Sequence, residues 1–264
     1  MNDNINISVA IAVYNGDKYI KDQLISLDNQ ITKPDEIVIF NDASNDSTIK
    51  EIEKFKVKTK IKIVLINSKK NLGYHKAFES AISKCSGNFI FICDSDDVWF
   101  DNKIFEIMNI FQKNKKVSLI INDSLYTDEN LNPLKFTKIE RNLKYYNNTN
   151  LFIPGCNTSF KRELLKIYIP FPENYIAYDF WINKISLVLD SRFVYEKVLQ
   201  YYRRHGKNWS DNNINSFDNS IKNNIKIIFT KLKKNINEDI NYSHHLNLLI
   251  ELKKRLLEQK FVLH

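Results

Sequence analysis

The sequence predicts an α/β protein with a mostly parallel central sheet covered by helices and a helical extension at its C-terminal end. Three observations predict it. Apolar runs at residues 5–13, 36–40, 61–66 and 88–93 are rich in Val, Ile and Phe and nearly continuous, as strands buried on both faces are. Stretches of helical character separate them, so strand and helix alternate. Hydrophobic residues make up 43% and aromatics 12% of 264 residues, with only 5 Gly and 5 Pro, enough apolar material for a large core and too little Gly and Pro for a disordered or collagen-like chain.

Each element follows from its local signal. The run 5–13 ends in Tyr14-Asn15-Gly16-Asp17, a turn that opens a helix reaching Ser26. The run 36–40 leads into a polar loop from Asn41 to Ser47, whose Asp or Ser caps a helix ending near Phe55. The run 61–66 passes through Asn71-Leu72-Gly73 into a helix over 74–83, and 88–93 is the fourth strand. A helix over 101–113 and a strand over 117–121 come next, after which periodicity degrades between 123 and 149 and irregular or extended segments are expected. Residues 151–153 with Gly155-Cys156-Asn157 read as a return to the core, 161–166 and 178–189 as helical, and 193–202 as a strand. From Asn212 the pattern is helical: Phe217, Ile221, Ile225, Ile228 and Leu232 share one face, and Leu249, Leu252, Leu256 and Leu257 another, with lysines between. Such helices pack on the body, on another copy of the chain in a homo-oligomer, or peripherally against an anionic membrane face, and charge alone does not separate these.

Several functions are excluded. The net charge of +8, from 39 Lys and Arg against 31 Asp and Glu, is dispersed over helical stretches and lacks an aromatic stacking repeat or recognition helix, so no nucleic-acid partner is expected. Cys85, Cys93 and Cys156 form no CxxC pair and read as reduced, buried thiols. With no HExxH and no Cys/His cluster, any metal must be held by carboxylates. Neither GxGxxG nor GxxxxGK[ST] occurs, which removes dinucleotide-redox and P-loop readings. No apolar run approaches the roughly 20 residues that span a bilayer, and the first residues lack a signal-peptide pattern, so the cytoplasm, including the inner face of the cell membrane, is the expected location.

Ligands in open α/β sheets lie at the carboxyl ends of the strands, where the loops 41–46, 67–73 and 94–97 all fall. Asp94-Ser95-Asp96-Asp97 directly follows an apolar strand, and acids so close together repel unless a cation or donors compensate them. Mg²⁺ or Mn²⁺ bridged to phosphate does this. A helix cap needs one acceptor and leaves the other acids unexplained. Asp42 and Asp46 are placed to accept hydrogen bonds from a base edge or sugar, with a simple Asx turn as the alternative.

Ser8-Val9-Ala10-Ile11-Ala12-Val13-Tyr14-Asn15-Gly16, Asn41-Asp42-Ala43-Ser44, Asn71-Leu72-Gly73 and Asp94-Ser95-Asp96-Asp97 together resemble the nucleotide-sugar half of family 2 glycosyltransferases, which have the GT-A fold. Gly155-Cys156-Asn157, Tyr178-Asp179-Phe180-Trp181 and Tyr202-Arg203-Arg204-His205 extend the resemblance, so that it covers about residues 5–210. It implies a catalytic domain over 1–210, with a nucleotide-sugar half at 1–100 and an acceptor half at 101–210, followed by the helical extension 211–264. It implies that Ala12, Tyr14 and Asn15 border the nucleotide, that Asp42 holds the pyrimidine or ribose, and that Asn71, Ser95 and Arg204 also bind the donor. Asp94 and Asp96 would be the DxD pair, Asp94 on the ribose or a water ligand and Asp96 nearest Mn²⁺ or Mg²⁺, with His205 completing the metal shell and Asp97 as a substitute ligand. Asp179 would be the base that deprotonates the acceptor. Tyr178 stands where the family commonly has His, and Asn157 and Trp181 are further candidates, Trp181 either stacking on a sugar or packing in the core. The implied activity is inverting transfer from a UDP-sugar or dTDP-rhamnose to a saccharide or lipid-linked saccharide acceptor, of the kind that builds bacterial surface polysaccharide. The alternatives are a nucleotidylyltransferase and a catalytically inactive sugar-nucleotide-binding relative.

Overall fold

The structure, a computed structural model, describes residues 6–146, 155–171, 177–206 and 208. The chain divides into two compact units, Met1–Arg203 and Arg204–His264. The amphipathic stretches after Asn212 and the core return at 151–153 lie outside the described residues.

The first unit begins with β1 (Ile7–Val13), α1 (Ile20–Asp28), β2 (Glu36–Asn41), α2 (Thr48–Lys56), β3 (Lys62–Asn67), α3 (Tyr74–Ser83) and β4 (Phe89–Asp94). The four strands pair in the order β3-β2-β1-β4, all parallel. β2 is buried along its whole length, which is why its sequence is a continuous apolar run and not an alternating one. Ile37, Ile39, Phe91 and Leu24 are fully buried in one cluster with Ile104 and Ile107. Burying each such side chain contributes about 2 kcal/mol.

Register places the strand ends together. Val13 pairs with Asn41, Asn41 with Asn67, and Ala12 with Asp94. The loops that follow therefore leave the sheet along one edge. At the start of α2 the acceptor is Asp46, whose Oδ1 takes the Thr48 N–H at 2.9 Å, while Ser47 makes no side-chain cap.

The remainder of the unit comprises β5 (Val98–Trp99), α4 (Lys103–Lys113), β6 (Leu119–Thr127), β7 (Pro133–Thr137), α5 (Lys138–Tyr146), β8 (Thr158–Lys161), α6 (Leu165–Tyr168), α7 (Tyr178–Val188) and β9 (Arg192–Arg203). Here the sheet is mixed: β8 lies antiparallel between β4 and β6, β9 runs parallel to β6, and β5 and β7 pair antiparallel with β9 and β6. The expected helix at 161–166 is instead the end of β8, a 3-10 turn (Arg162–Leu164) and the short α6, because Phe160 pairs into the sheet on both sides. The expected strand over 117–121 continues as far as Thr127, and the region of degraded periodicity holds a β-hairpin partner and a helix.

Candidate active site

Three strand-end loops are laced into one wall. The Asn15 N–H donates to Ser44 Oγ at 2.9 Å, the Asn45 N–H to Asn15 Oδ1 at 2.9 Å, and the Gly16 N–H to Thr48 Oγ1 at 2.8 Å. Asp42 is 2% exposed and accepts the Leu72 N–H at 2.7 Å on one oxygen and the Gly73 N–H at 3.0 Å on the other. Asn71 Nδ2 reaches the Asp42 carbonyl at 3.4 Å. Asn15 and Ala43 hold φ of 51° and 62°, left-handed values that non-glycine residues adopt at a cost of order 1 kcal/mol. The cross-loop bonds keep the backbone there. A Cβ on Gly16 would lie 3.5 Å from Ser95 Oγ, so the first loop also runs close to the turn after β4.

Position along that turn separates the acids. Asp94, Ser95 and Asp96 are half-buried, whereas Asp97 is fully buried. Asp97 accepts Gln200 Nε2 at 2.8 Å and the Arg203 N–H at 3.1 Å, so both its oxygens tie the end of β9 to the turn. Burial, reinforced by Asp96 and Asp94, pushes its carboxyl well up. Asp94 is pushed up to about 7, first by burial and then by the charge of Asp96. Carboxylate oxygens of Asp94 and Asp97 and the Cys156 sulfur lie within 4.8 Å of one another. Of this set, Cys156 is a thiol held neutral by burial and Asp97 is engaged in the fold, so Asp94 is the member that suits a hard cation such as Mg²⁺ or Mn²⁺; the half-buried Asp96 lies outside the set, near enough for its charge to act on Asp94.

Asp179 stands in the first turn of α7, where its Oδ1 accepts the Phe180 N–H at 2.8 Å. Burial raises its pKa to about 6 against the pull of that N–H, of the Lys138 ammonium and of the Gly155 N–H. Its charge adds to the upward shift of Asp94, so the acid from the later half and the acid at the end of β4 share one electrostatic neighbourhood. Gly155 is needed beside it: a Cβ there would lie 2.3 Å from Tyr178 Oη and 3.4 Å from Asp179 Oδ2. Tyr178 is buried against Phe78, with ring centroids 4.6 Å apart.

The other expected residues sort by burial and partner. Ala12 is half-buried at the end of β1, Tyr14 is 52% exposed, and Asn71 is exposed. Asn157 is buried and donates to the Asn122 carbonyl at 2.9 Å, bracing β6. Trp181 is fully buried with its indole N–H on the Tyr168 carbonyl at 2.8 Å; this corrects its candidacy for sugar stacking, since its ring packs in the core. Arg203, 4% exposed, pairs with Asp22 at 2.9 Å. Arg204 and His205 belong to the second unit, where the His205 N–H donates to Asn208 Oδ1 at 2.6 Å.

Two lysines in this region were not anticipated. Lys103 is buried with its ammonium 3.9 Å over the Trp99 ring, hydrogen-bonded to Gln200 Oε1, and burial lowers its pKa to about 8. A signal existed, because Lys103 lies on the same helical stripe as Ile107 and Phe111. Lys138 Nζ lies 3.3 Å from Cys156 Sγ and 3.3 Å over the Tyr202 ring. Its segment carried no periodicity from which this position is readable.

The family model described as Glycosyl transferase family 2 matches residues 8–168. An uncharacterised glycosyltransferase of Methanocaldococcus jannaschii is 28% identical over 204 residues, covering 74% of this chain and 70% of that one. Another, from Haemophilus influenzae, is 27% identical over 226 residues, covering 77% and 67%. The chain thus spans about two thirds of the length of these relatives. Among solved structures, Staphylococcus aureus TarS 1–349 in complex with UDP-GlcNAc superposes with TM-score 0.64 at 19% identity, over 96% of this chain and 73% of that one. The mannosyltransferase PcManGT of Pyrobaculum calidifontis, in complex with GDP-Man and Mn²⁺, gives 0.63 at 16% identity, over 94% and 69%. With a parallel first half, a mixed second half and acids at the end of the fourth strand, the fold is GT-A, and the chain belongs to glycosyl transferase family 2.

Proposed function

We propose that this protein moves a sugar from a nucleoside-diphosphate sugar, a UDP-sugar or dTDP-rhamnose, onto a saccharide or lipid-linked saccharide acceptor in a single inverting displacement. The observation that carries the reading is the proximity of two unlike acid environments. Asp94 and Asp96 crowd each other at the end of β4, a place for a cation, while Asp179 lies nearby on another element with a pKa of about 6. A carboxyl poised there is mostly ionised at neutral pH and basic enough to take a proton from an attacking hydroxyl.

In this proposal the loop after β1, with Ala12, Tyr14 and Asn15, and the Asp42–Asn71 wall receive the nucleotide, with Ser95 beside them. Asp42 acts there partly by fixing the Leu72 and Gly73 backbone. Asp96, assisted by Asp94, would hold Mn²⁺ or Mg²⁺, which when bound neutralises charge on the departing diphosphate. For Arg204 and His205 the sequence pattern of the family alone implies roles toward a diphosphate and an ion. TarS with UDP-GlcNAc and PcManGT with GDP-Man and Mn²⁺ support the donor class and the ion. No described helix is long and apolar enough to cross a membrane. We place a lipid-linked acceptor at a peripheral contact, for which the basic stretches after residue 211 are the proposed surface.

The test is a donor panel with Mn²⁺ or Mg²⁺ that follows release of nucleoside diphosphate with and without saccharide acceptors, followed by NMR of the product linkage. The reading expects acceptor-stimulated release and an inverted anomeric centre. A retained configuration contradicts the single displacement, and turnover unaffected by chelation in folded protein contradicts the ion.

A further inference from the structure

The acid cluster has a resident cation. Lys138 is the first residue of α5, and its backbone is fixed by a capping box: the Glu140 N–H donates to Thr137 Oγ1 at 3.2 Å and the Thr137 N–H to Glu140 Oε2 at 2.7 Å. A lysine in the first turn opposes the helix dipole, so this position is electrostatically poor unless anions lie close by. The acids stand behind one neutral atom: its ammonium lies 3.3 Å from Cys156 Sγ, a thiol that burial keeps protonated, and that sulfur belongs to the group with Asp94 and Asp97 carboxylate oxygens whose atoms fall within 4.8 Å of one another, so both carboxylates are within reach of its field at about 8 Å or less. The same ammonium lies 3.3 Å over the Tyr202 ring.

Its field also reaches the acid on α7: the Lys138 charge pulls Asp179 downward against burial. Burial works against the charge on Lys138 itself, but the acidic groups around it outweigh burial and raise its pKa, so the amine stays protonated.

We propose that Lys138 is a positioning residue, a built-in counter-charge of the acid cluster that weakens divalent-ion binding and strengthens binding of a diphosphate in the same pocket. The inference rests on the glycosyl-transfer reading for its choice of diphosphate. A fixed unit charge raises the local potential for every ligand, so it acts in opposite directions on a cation and an anion. Loss of structure does not, because it weakens both.

The experiment uses the full chain with Lys138→Met and Lys138→Gln as two neutral variants and Lys138→Arg as the charge-retaining one. Mn²⁺ alone is titrated by electron paramagnetic resonance of the free ion, and UDP is titrated by calorimetry in the presence of EDTA. The neutral variants are expected to bind Mn²⁺ about three- to tenfold more tightly and UDP more weakly by a similar factor, with Lys138→Arg near wild type. Thermal melting confirms that each variant folds, and either neutral variant suffices. Weakening of both ligands together, or no change in Mn²⁺ affinity, overturns the proposal. A wild-type protein that binds no sugar nucleotide even with Mn²⁺ contradicts the glycosyl-transfer reading instead. Normal wild-type binding with unchanged neutral variants contradicts only the role of Lys138.

Discussion

Replacing Asp179 with Asn keeps the shape of the side chain and removes its ability to accept a proton. Its pKa of about 6, set by burial against an ordinary 3.8, fixes the size of the effect of pH. A group at about 6 is about 90% ionised at pH 7 and about 10% at pH 5, so acceptor kcat/KM falls about tenfold across that interval. A carboxylate at 3.8 would lose only about 6%. The assay measures initial rates at saturating donor and ion, where Asp94 is already engaged, and carbon-13 NMR of the unliganded protein reads the same carboxyl without turnover. Asp179→Asn should lower kcat by about 10²–10⁴-fold and abolish the acidic limb. A variant within threefold of wild type, or a wild-type limb centred near pH 4, would refute the assignment of Asp179 as base.

Two further outcomes follow from the packing. Glu36 is 3% exposed and accepts Ser8 Oγ, the Ser86 N–H and Lys62 Nζ; burial raises its pKa, but these bonds outweigh it and hold the carboxyl down at about 2. Because the folded value lies below the unfolded 4.5, its stabilisation is complete above pH 4.5 and lost as pH falls toward 2. Discounted for the solvent-exposed Lys62, it contributes about 2 kcal/mol, and urea unfolding should show the wild type converging on Glu36→Gln between pH 5 and about 2; a gap independent of pH contradicts this. Gly155→Ala drives a methyl against Tyr178 Oη, 2.3 Å away, and should cost about 1–3 kcal/mol and about a hundredfold in turnover by displacing Asp179. Adding Tyr178→Phe removes that oxygen and should restore part of both, whereas an additive loss would show that the contact is not the cause.

The parallel first half was legible in the sequence because its strands are buried on both faces. Continuous apolar runs located β1 to β4 within a residue or two, and the helix over 74–83 coincides with α3. The strand ends then followed, since parallel strands in register deliver their loops to one edge. The second half was less legible for the opposite reason. β6 carries buried Asn122, Asp123 and Ser124, whose polarity is satisfied by tertiary partners such as the Ile139 N–H on Asp123 Oδ1 at 3.0 Å, so its continuation looks like a loop in sequence. β5 is only two residues long and pairs with β9 from far along the chain. At the site, the motif order brought out Asp94, Asp96 and Asp179, but not how the acids divide. Only the structure shows Asp97 engaged by Gln200 and Arg203, Trp181 in the core, and Lys138 facing Cys156.

The most direct measurement is calorimetric binding of UDP-sugars and dTDP-rhamnose to the wild type and to Asp96→Asn, each with Mn²⁺ and with EDTA. The account predicts that at least one of these donors binds to wild type with Mn²⁺, and that this binding weakens at least tenfold both with EDTA and in a normally melting Asp96→Asn. Binding of such a donor that is equally tight in all four conditions, or no binding of any of them to the wild type with Mn²⁺, would contradict it.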